Sequence, residues 1–441
     1  MGASLCRAAK LAAPIGLVTI IATILATAFS TPAFAQAPTI NAADTAWMIV
    51  ATALVLMMTI PGLALLYSGM VRKKNVLATM AQSLAAVAII SILWVAFGYS
   101  LVFTGSGPWL GTLDRWFLAG VTMDSVNPAA KTIPEALFML YQMTFAIITV
   151  ALVAGSVADR MRFSAYLTFS IGWFMLVYIP LAHWVWGGGF LGAAGVLDFA
   201  GGLVVHLSAG IGGLVAAQVM GRRQGYGSEN LSPFDLSLAV VGTGLLWVGW
   251  FGFNGGSALT ASPRAVMAII ATHLAASSGA LVWGGIEWWS RKKPSVLGMI
   301  SGAVAGLGTI TPASGFVAPW HGIIIGAVAG GVCYWACTWL KHRFNYDDSL
   351  DVFGVHGIGG LTGTLLCGVF ATASIGGTAG LLEGHPQQVL IQLYGIAVTL
   401  IWSAGVTYAL LKLVGIFVSL RVSREQEMEG LDITQHGEAL Q

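Results

Sequence analysis

Long apolar runs, each close to the length of a bilayer crossing, alternate with short polar connections along most of the chain. Eleven runs occupy roughly 44–70, 76–103, 135–158, 162–184, 200–221, 234–255, 263–289, 295–312, 318–341, 352–371 and 388–419. A ~30 Å hydrocarbon core is crossed by ~20 helical residues. The pattern therefore predicts an all-α integral membrane protein with eleven transmembrane helices.

The charged residues test this count. Suppose the connection after the first helix faces the cytoplasm and the sides alternate from there. The inside connections then hold Arg72, Lys73 and Lys74; Arg160 and Arg162; Arg222 and Arg223; Arg291, Lys292 and Lys293; and Lys341 and Arg343. The tail adds Arg421 and Arg424, and the outside connections hold only Arg115, Lys131 and Arg264. Basic clusters favour the cytoplasmic side, and a miscounted helix would have scrambled the alternation. The reading places the N-terminus outside and the C-terminus inside.

Composition agrees. Hydrophobic residues make up 57% of the 441 and charged residues only 9%, against ~25% charged in soluble domains. The net charge of +2 and the absence of a long basic run give no reason to expect a nucleic-acid partner. Residues 1–35 read as a secretory signal peptide. Arg7 and Lys10 form its charged start, Leu11 to Phe29 its apolar core, and Ala33-Phe34-Ala35 a small-residue cleavage site before Gln36. The membrane domain then spans 36–420, and 421–441 form a short polar tail that by itself reads as a solvated end, with a docking segment as the alternative. Cys333, Cys337 and Cys367 lie in apolar runs without metal-type spacing and read as buried small hydrophobes.

Two histidines stand out against this background. His206 follows Asp198 by eight positions, and His356 follows Asp348 by eight. Glycines recur four and seven positions after each, at Gly210 and Gly213 and at Gly360 and Gly363. An ionisable residue inside a membrane span is a functional-site hypothesis in its own right. His206 falls in the fifth run and His356 in the tenth. Five is odd, so the second five-helix unit runs opposite to the first, as an inverted repeat with a final helix added. Eight residues at ~1.5 Å each place both histidines about 12 Å in, near mid-membrane. A metal or haem would need further ligands at that depth, and the sequence supplies no matched set.

Aromatic and hydroxyl groups collect near the outer ends of other runs. They include Phe145 after Gln142 and Thr144, Trp184 and Trp186, and Trp250-Phe251-Gly252-Phe253-Asn254-Gly255-Gly256-Ser257. Aromatic faces attract cations, and a serine oxygen accepts a hydrogen bond from one. Tryptophans at such ends also serve as interfacial anchors, and both readings stay open on these grounds.

Several of these stretches resemble one family. Asp198 to Arg222 resembles the signature of the ammonium transporters, relatives of the Rhesus glycoproteins, and Asp351-Val352-Phe353-Gly354-Val355-His356-Gly357 resembles their second histidine motif. Pro61 to Gly69, Asn75-Val76-Leu77, Gly249 to Ser257, and Glu429-Gly430-Leu431-Asp432 with His436-Gly437-Glu438 add further matches, so the likeness runs from about Trp47 to Glu438. The resemblance implies a transporter rather than an enzyme, without cofactor or metal. It implies a bacterial inner-membrane homotrimer with a pore through each subunit. It implies an outer ammonium site at Phe145, Trp186 and Ser257, a gate of Phe145 over Phe253, and paired pore histidines at His206 and His356. Leu63, Leu66, Tyr67, Trp250 and Val352 match pore-lining positions, Tyr141 stands near the gate, and Asp198 matches an ordering aspartate. Methylammonium is a further candidate substrate, and a PII-type nitrogen regulatory protein a candidate partner on the cytoplasmic face. Two alternatives accompany this reading, an ammonium sensor signalling through a cytoplasmic partner and a Rhesus-like passive gas channel.

Overall fold

The computed structural model describes residues 39–440, so the expected signal peptide lies outside the described residues. Eleven apolar helices follow. They are α1 Ala42–Met70, α2 Lys73–Phe103, α3 Glu135–Val157, α4 Phe163–Ala193, α5 Gly202–Met220, α6 Leu236–Gly255, α7 Pro263–Arg291, α8 Val296–Ile310, α9 His321–Phe344, α10 Phe353–Phe370 and α11 Gln387–Phe417. Ten are long and apolar enough to cross a membrane, and α8 is shorter. No strand occurs among the described residues, only two isolated bridges. Every predicted run became a helix. The fourth extends past 184 to Ala193, through a short kinked segment around Trp186 and Gly187.

Two five-helix units in opposite directions, α1–α5 and α6–α10, form the body, with α11 packed on α5 and α10. The crossing of α5 and α10 shows the two-fold relation directly. A Cβ on Gly210 would lie 2.3 Å from the Gly357 backbone, and one on Gly360 would lie 2.5 Å from the Gly202 carbonyl oxygen and 2.9 Å from the Leu207 nitrogen. In each helix, then, the glycine four positions after the histidine meets the residue following the other histidine. The glycines three positions further on meet equivalent helices, Gly213 against Ser156 of α3 and Gly363 against Thr309 of α8. Any side chain at these points would force the helices apart, and small residues are what permit such close packing in a membrane.

The basic residues on the tail side are largely paired. Asp159 accepts from Arg72 at 3.2 Å, from Asn75 at 2.5 Å and from Arg223 at 3.4 Å. Arg223 also grips Asp347 through its side chain, at 2.8 Å for the closest contact. Arg160, fully buried, donates to the Asp347 carbonyl at 2.5 Å and to Ser349 at 2.6 Å. This ties the α3–α4, α5–α6 and α9–α10 connections into one layer.

The tail docks onto that layer rather than standing in solvent. Asp432 caps α2, accepting from the Leu77 and Ala78 nitrogens at 3.1 and 2.8 Å. Glu427 accepts from the Gln224 nitrogen at 2.6 Å and pairs with Arg421 at 2.7 Å. Lys74 donates to the Met428 carbonyl. The polar tail looked solvated because its partners, the free N–H groups of helix ends, are far away in sequence.

Removing Arg223 would leave buried Asp347 without its closest counter-charge and buried Asp159 with Arg72 alone. Arg223→Ala is expected to destabilise the protein by about 3–5 kcal/mol, seen as a lower thermal-aggregation midpoint in detergent. Burial opposes the Asp347 charge, but Arg223 and then Arg160 outweigh it and hold that carboxyl below the usual carboxylate range. Its contribution is therefore present above the ordinary value of ~4 and lost as pH falls through the depressed folded value. An acid melting series should show wild type losing stability below about pH 4, with Arg223→Ala flatter in that window.

Candidate functional site

Both histidines sit in the first turn of a helix that an aspartate begins. The Asp198 carboxylate accepts from the nitrogens of Gly201, Gly202, Leu203 and Val204, at 2.7, 2.6, 2.8 and 3.2 Å. Asp348 accepts from the Phe353 nitrogen at 2.7 Å. Three residues beyond each aspartate the backbone turns left-handed, at Gly201 with φ 114° and at Asp351 with φ 58°. The first turns are then over-wide, π-type at Gly202–Leu207 and at Phe353–Gly357, a local distortion frequent at functional sites. Both aspartates thus meet the start of their helix, Asp198 through four backbone nitrogens and Asp348 through one.

The helices bring the imidazoles together. Their ring centroids are 5.3 Å apart with planes 12° from parallel. Trp250 stacks on His206 at 5.4 Å and is itself fixed by a 2.8 Å bond to Thr311. His206 is 1% exposed and His356 5%. Both His206 nitrogens and His356 Nδ1 lack a hydrogen-bond partner among the described residues. The N–H···N bond that two facing imidazoles could share is not made here. Buried polar groups are usually paired, so these nitrogens stand ready for something that enters.

They face a narrow passage of 10 Å³, lined also by Leu63, Leu66, Trp250 and Phe253, with Met58, Ile148, Leu152, Val205, Leu246 and Val304. On the Asp198 side the passage is closed by Phe145 stacked on Phe253, with centroids 4.2 Å apart. Above this pair opens a cavity of 280 Å³ lined by Phe145, Trp186 and Ser257 together with Phe103, Phe138, Gln142 and Phe199. Trp186 is set edge-on to Phe145 at 5.8 Å and is anchored by its indole N–H to the Asp198 carbonyl at 2.8 Å. Ser257 donates its proton to the Phe253 carbonyl at 2.8 Å and lies 3.3 Å from the Tyr141 hydroxyl, so its oxygen keeps one lone pair to accept a further bond. On the tail side His356 borders a larger cavity of 560 Å³, with Leu66, Tyr67, Lys341, Asp351 and Val355 also in its wall. Lys341 donates to Asp351 at 2.7 Å and to the Asp348 carbonyl at 2.6 Å.

Tyr141, expected near the gate, packs against Phe145 with ring centroids 5.0 Å apart, whereas Val352, expected to line the pore, lies behind it. Tyr141 is fully buried, and its hydroxyl reaches the Gly252 and Phe253 carbonyls at 3.0 and 2.8 Å. It braces the phenylalanine pair and lines neither cavity. Val352 is buried in the crossing of α10 with α3 and α5, against Gly155 and Gly213. Conversely, Phe103, Phe199 and Val304 line the path without a sequence signal, because an apolar residue reads the same facing a pore, a neighbouring helix or lipid.

The geometry has counterparts among known proteins. A protein described as an ammonium transporter in Bacillus subtilis is 49% identical over 397 residues, covering 90% of this chain and 97% of that protein. A putative ammonium transporter of Methanothermobacter thermautotrophicus is 47% identical over 402 residues, covering 90% and 98%. Among solved structures, Mep2 of Saccharomyces cerevisiae superposes with a TM-score of 0.82 at 38% identity over 88% of this chain and 89% of that one. A structure titled Sensor Amt Protein superposes at 0.83 with 28% identity, over 89% and 98%. The model of the Ammonium Transporter Family matches residues 46–440, from the start of α1 through the docked tail, and the chain belongs to that family.

Proposed function

We propose that the protein carries ammonium nitrogen across a membrane, taking up the cation in the aromatic cavity and conducting neutral ammonia past the histidines. One observation carries this reading. A cavity of aromatic faces and a serine oxygen is separated, by two stacked phenylalanines, from a narrow passage with apolar walls whose polar groups are imidazole nitrogens unpaired among the described residues. Phe145, Trp186 and Ser257 suit a cation with N–H donors. A charge at mid-membrane costs at least ~3 kcal/mol, and desolvation favours ammonia over its ion. The proton therefore leaves near Phe145 and Phe253 into the outer cavity, from which it either returns to the outside solution or crosses by a separate route, two cases that differ in current. Ammonia then passes Leu63, Leu66 and Trp250 and meets His206 and His356, which offer acceptors or donors according to tautomer. Potassium matches ammonium in charge but has no proton to lose, and is refused. Tyr67 belongs to the exit, Tyr141 and Val352 support the wall, and Asp198 holds Trp186 and the start of α5 in place.

The family resemblance favours a bacterial inner-membrane setting, and the charge alternation favours the aromatic cavity outside and the tail in the cytoplasm. Membership of the family favours a homotrimer with one path per subunit, regulation by a PII-type protein at the docked tail, and methylammonium as a second substrate.

The test is an ammonium pulse on reconstituted liposomes, reading internal pH and current together. Wild type should move ammonium nitrogen and exclude potassium. Trp186→Ala should raise the half-saturation concentration by about 3- to 30-fold, the range of one desolvated cation–π contact. His206→Ala should instead lower the maximal rate about tenfold with half-saturation unchanged, since it acts beyond the phenylalanines. Wild type inert to ammonium would refute the reading. Uptake without current would leave passive ammonia conduction in place of proton-coupled transport. Asp198→Ala, which strips acceptors from four buried N–H groups, should cost about 1–3 kcal/mol of stability, with Asp198→Asn intermediate in a melting assay.

A further inference from the structure

Helix α8 carries four glycines that the sequence cannot tell apart, Gly298, Gly302, Gly306 and Gly308. Backbone packing explains two of them. A Cβ would fall 2.4 Å from the Gly279 carbonyl at Gly302 and 2.1 Å from the Ala275 carbonyl at Gly306, while at Gly298 it would displace the Glu287 carboxylate, 2.1 Å away. Gly308 differs. It is buried, yet a Cβ there would meet nothing nearer than 3.8 Å. Its three nearest atoms belong to the two histidines, His356 Nδ1 at 3.8 Å and His206 Cε1 and Cγ at 3.9 Å. Helix packing therefore does not demand glycine at this position, and glycine is disfavoured inside a helix relative to alanine.

The direction of the missing side chain completes the argument. Val304 lies one turn earlier on the same face of α8 and lines the narrow passage. Beside Gly308, His356 Nδ1 is buried without a partner, as are both nitrogens of His206. A methyl group at Gly308 would lie in van der Waals contact with both imidazoles and cover them on that side.

We infer that Gly308 is a specificity-determining residue, setting the bore at the histidine pair so that only a small neutral hydrogen-bonding solute of ammonia's size reaches the unpaired nitrogens. This rests on the transport reading above. The residue touches neither the aromatic cavity nor the stacked phenylalanines, so it governs passage rather than uptake.

The test is a graded series, Gly308→Ala and Gly308→Val, in the full-length protein reconstituted in liposomes. Ammonium and methylammonium are the probes, and monodispersity in detergent confirms folding. Alanine meets no contact under 3.4 Å and should fold as wild type does. The maximal ammonium rate is expected to fall about threefold with alanine and more than about thirtyfold with valine, at unchanged half-saturation. Methylammonium flux, where wild type shows it, should already be lost with alanine. Equal ammonium rates in monodisperse wild type and alanine variant would overturn the inference while leaving the transport reading intact. So would a loss expressed only as weaker half-saturation. Wild type inert to ammonium would remove both.

Discussion

Everything at the centre of this protein depends on two helices touching backbone to backbone. Gly210 against Gly357, and Gly360 against Gly202 and Leu207, leave no room for a side chain between α5 and α10. Because the contact is made twice, once from each half, it fixes both the separation and the relative height of the helices. The histidines follow from it. Each lies one residue from the point where its helix is touched by the other's glycine, so the imidazoles meet at 5.3 Å. An apolar solvent gives helices little reason to associate except close packing and hydrogen bonds. Here close packing is also what builds the site.

The same helices are begun in the same way, and this explains why the site survives in a dry interior. Asp198 and Asp348 satisfy backbone donors that would otherwise be orphaned at buried helix ends. Asp198 does more, since its carbonyl holds the Trp186 indole and so links the start of α5 to the aromatic cavity. The two halves then diverge. One opens onto a small aromatic cavity, the other onto a wide cavity bordered by the Lys341–Asp351 pair and by the charged layer of Arg160, Arg223, Asp159 and Asp347. Charge is dense where water or protein partners can compensate it. It is absent from the passage, where a histidine pair supplies polarity without a fixed charge.

The tail belongs to this layer. Its carboxylates are spent on the N-terminus of α2 and on the α5–α6 connection. The α1–α2, α3–α4, α5–α6 and α9–α10 connections are thus held to one another and to the tail as one layer, whereas Arg291 and Lys292 of the α7–α8 connection find partners, among the described residues, only within their own helix.

The sequence by itself determined the helices, their number and the membrane, because each rests on local properties: run length, apolar content and the sides on which basic residues fall. It also marked His206 and His356, since an ionisable residue in an apolar run is conspicuous wherever it ends up, and the parity of the helix count made their helices antiparallel. Resemblance to a family pointed to Phe145, Trp186 and Ser257, and the fold gathers those three around one cavity. What only the tertiary structure decided concerns direction. Leu63 and Val304 face the passage, Val352 faces a helix crossing, and Tyr141 stands behind the gate, although all four are apolar or aromatic residues in helices and read alike. The four glycines of α8 are the sharpest case. Gly302 and Gly306 are required by backbone carbonyls that approach within 2.4 Å and Gly298 faces the Glu287 carboxylate, whereas Gly308 opens toward the histidines. A missing side chain has no direction until the other helices are in place, so its meaning could only come from what surrounds it.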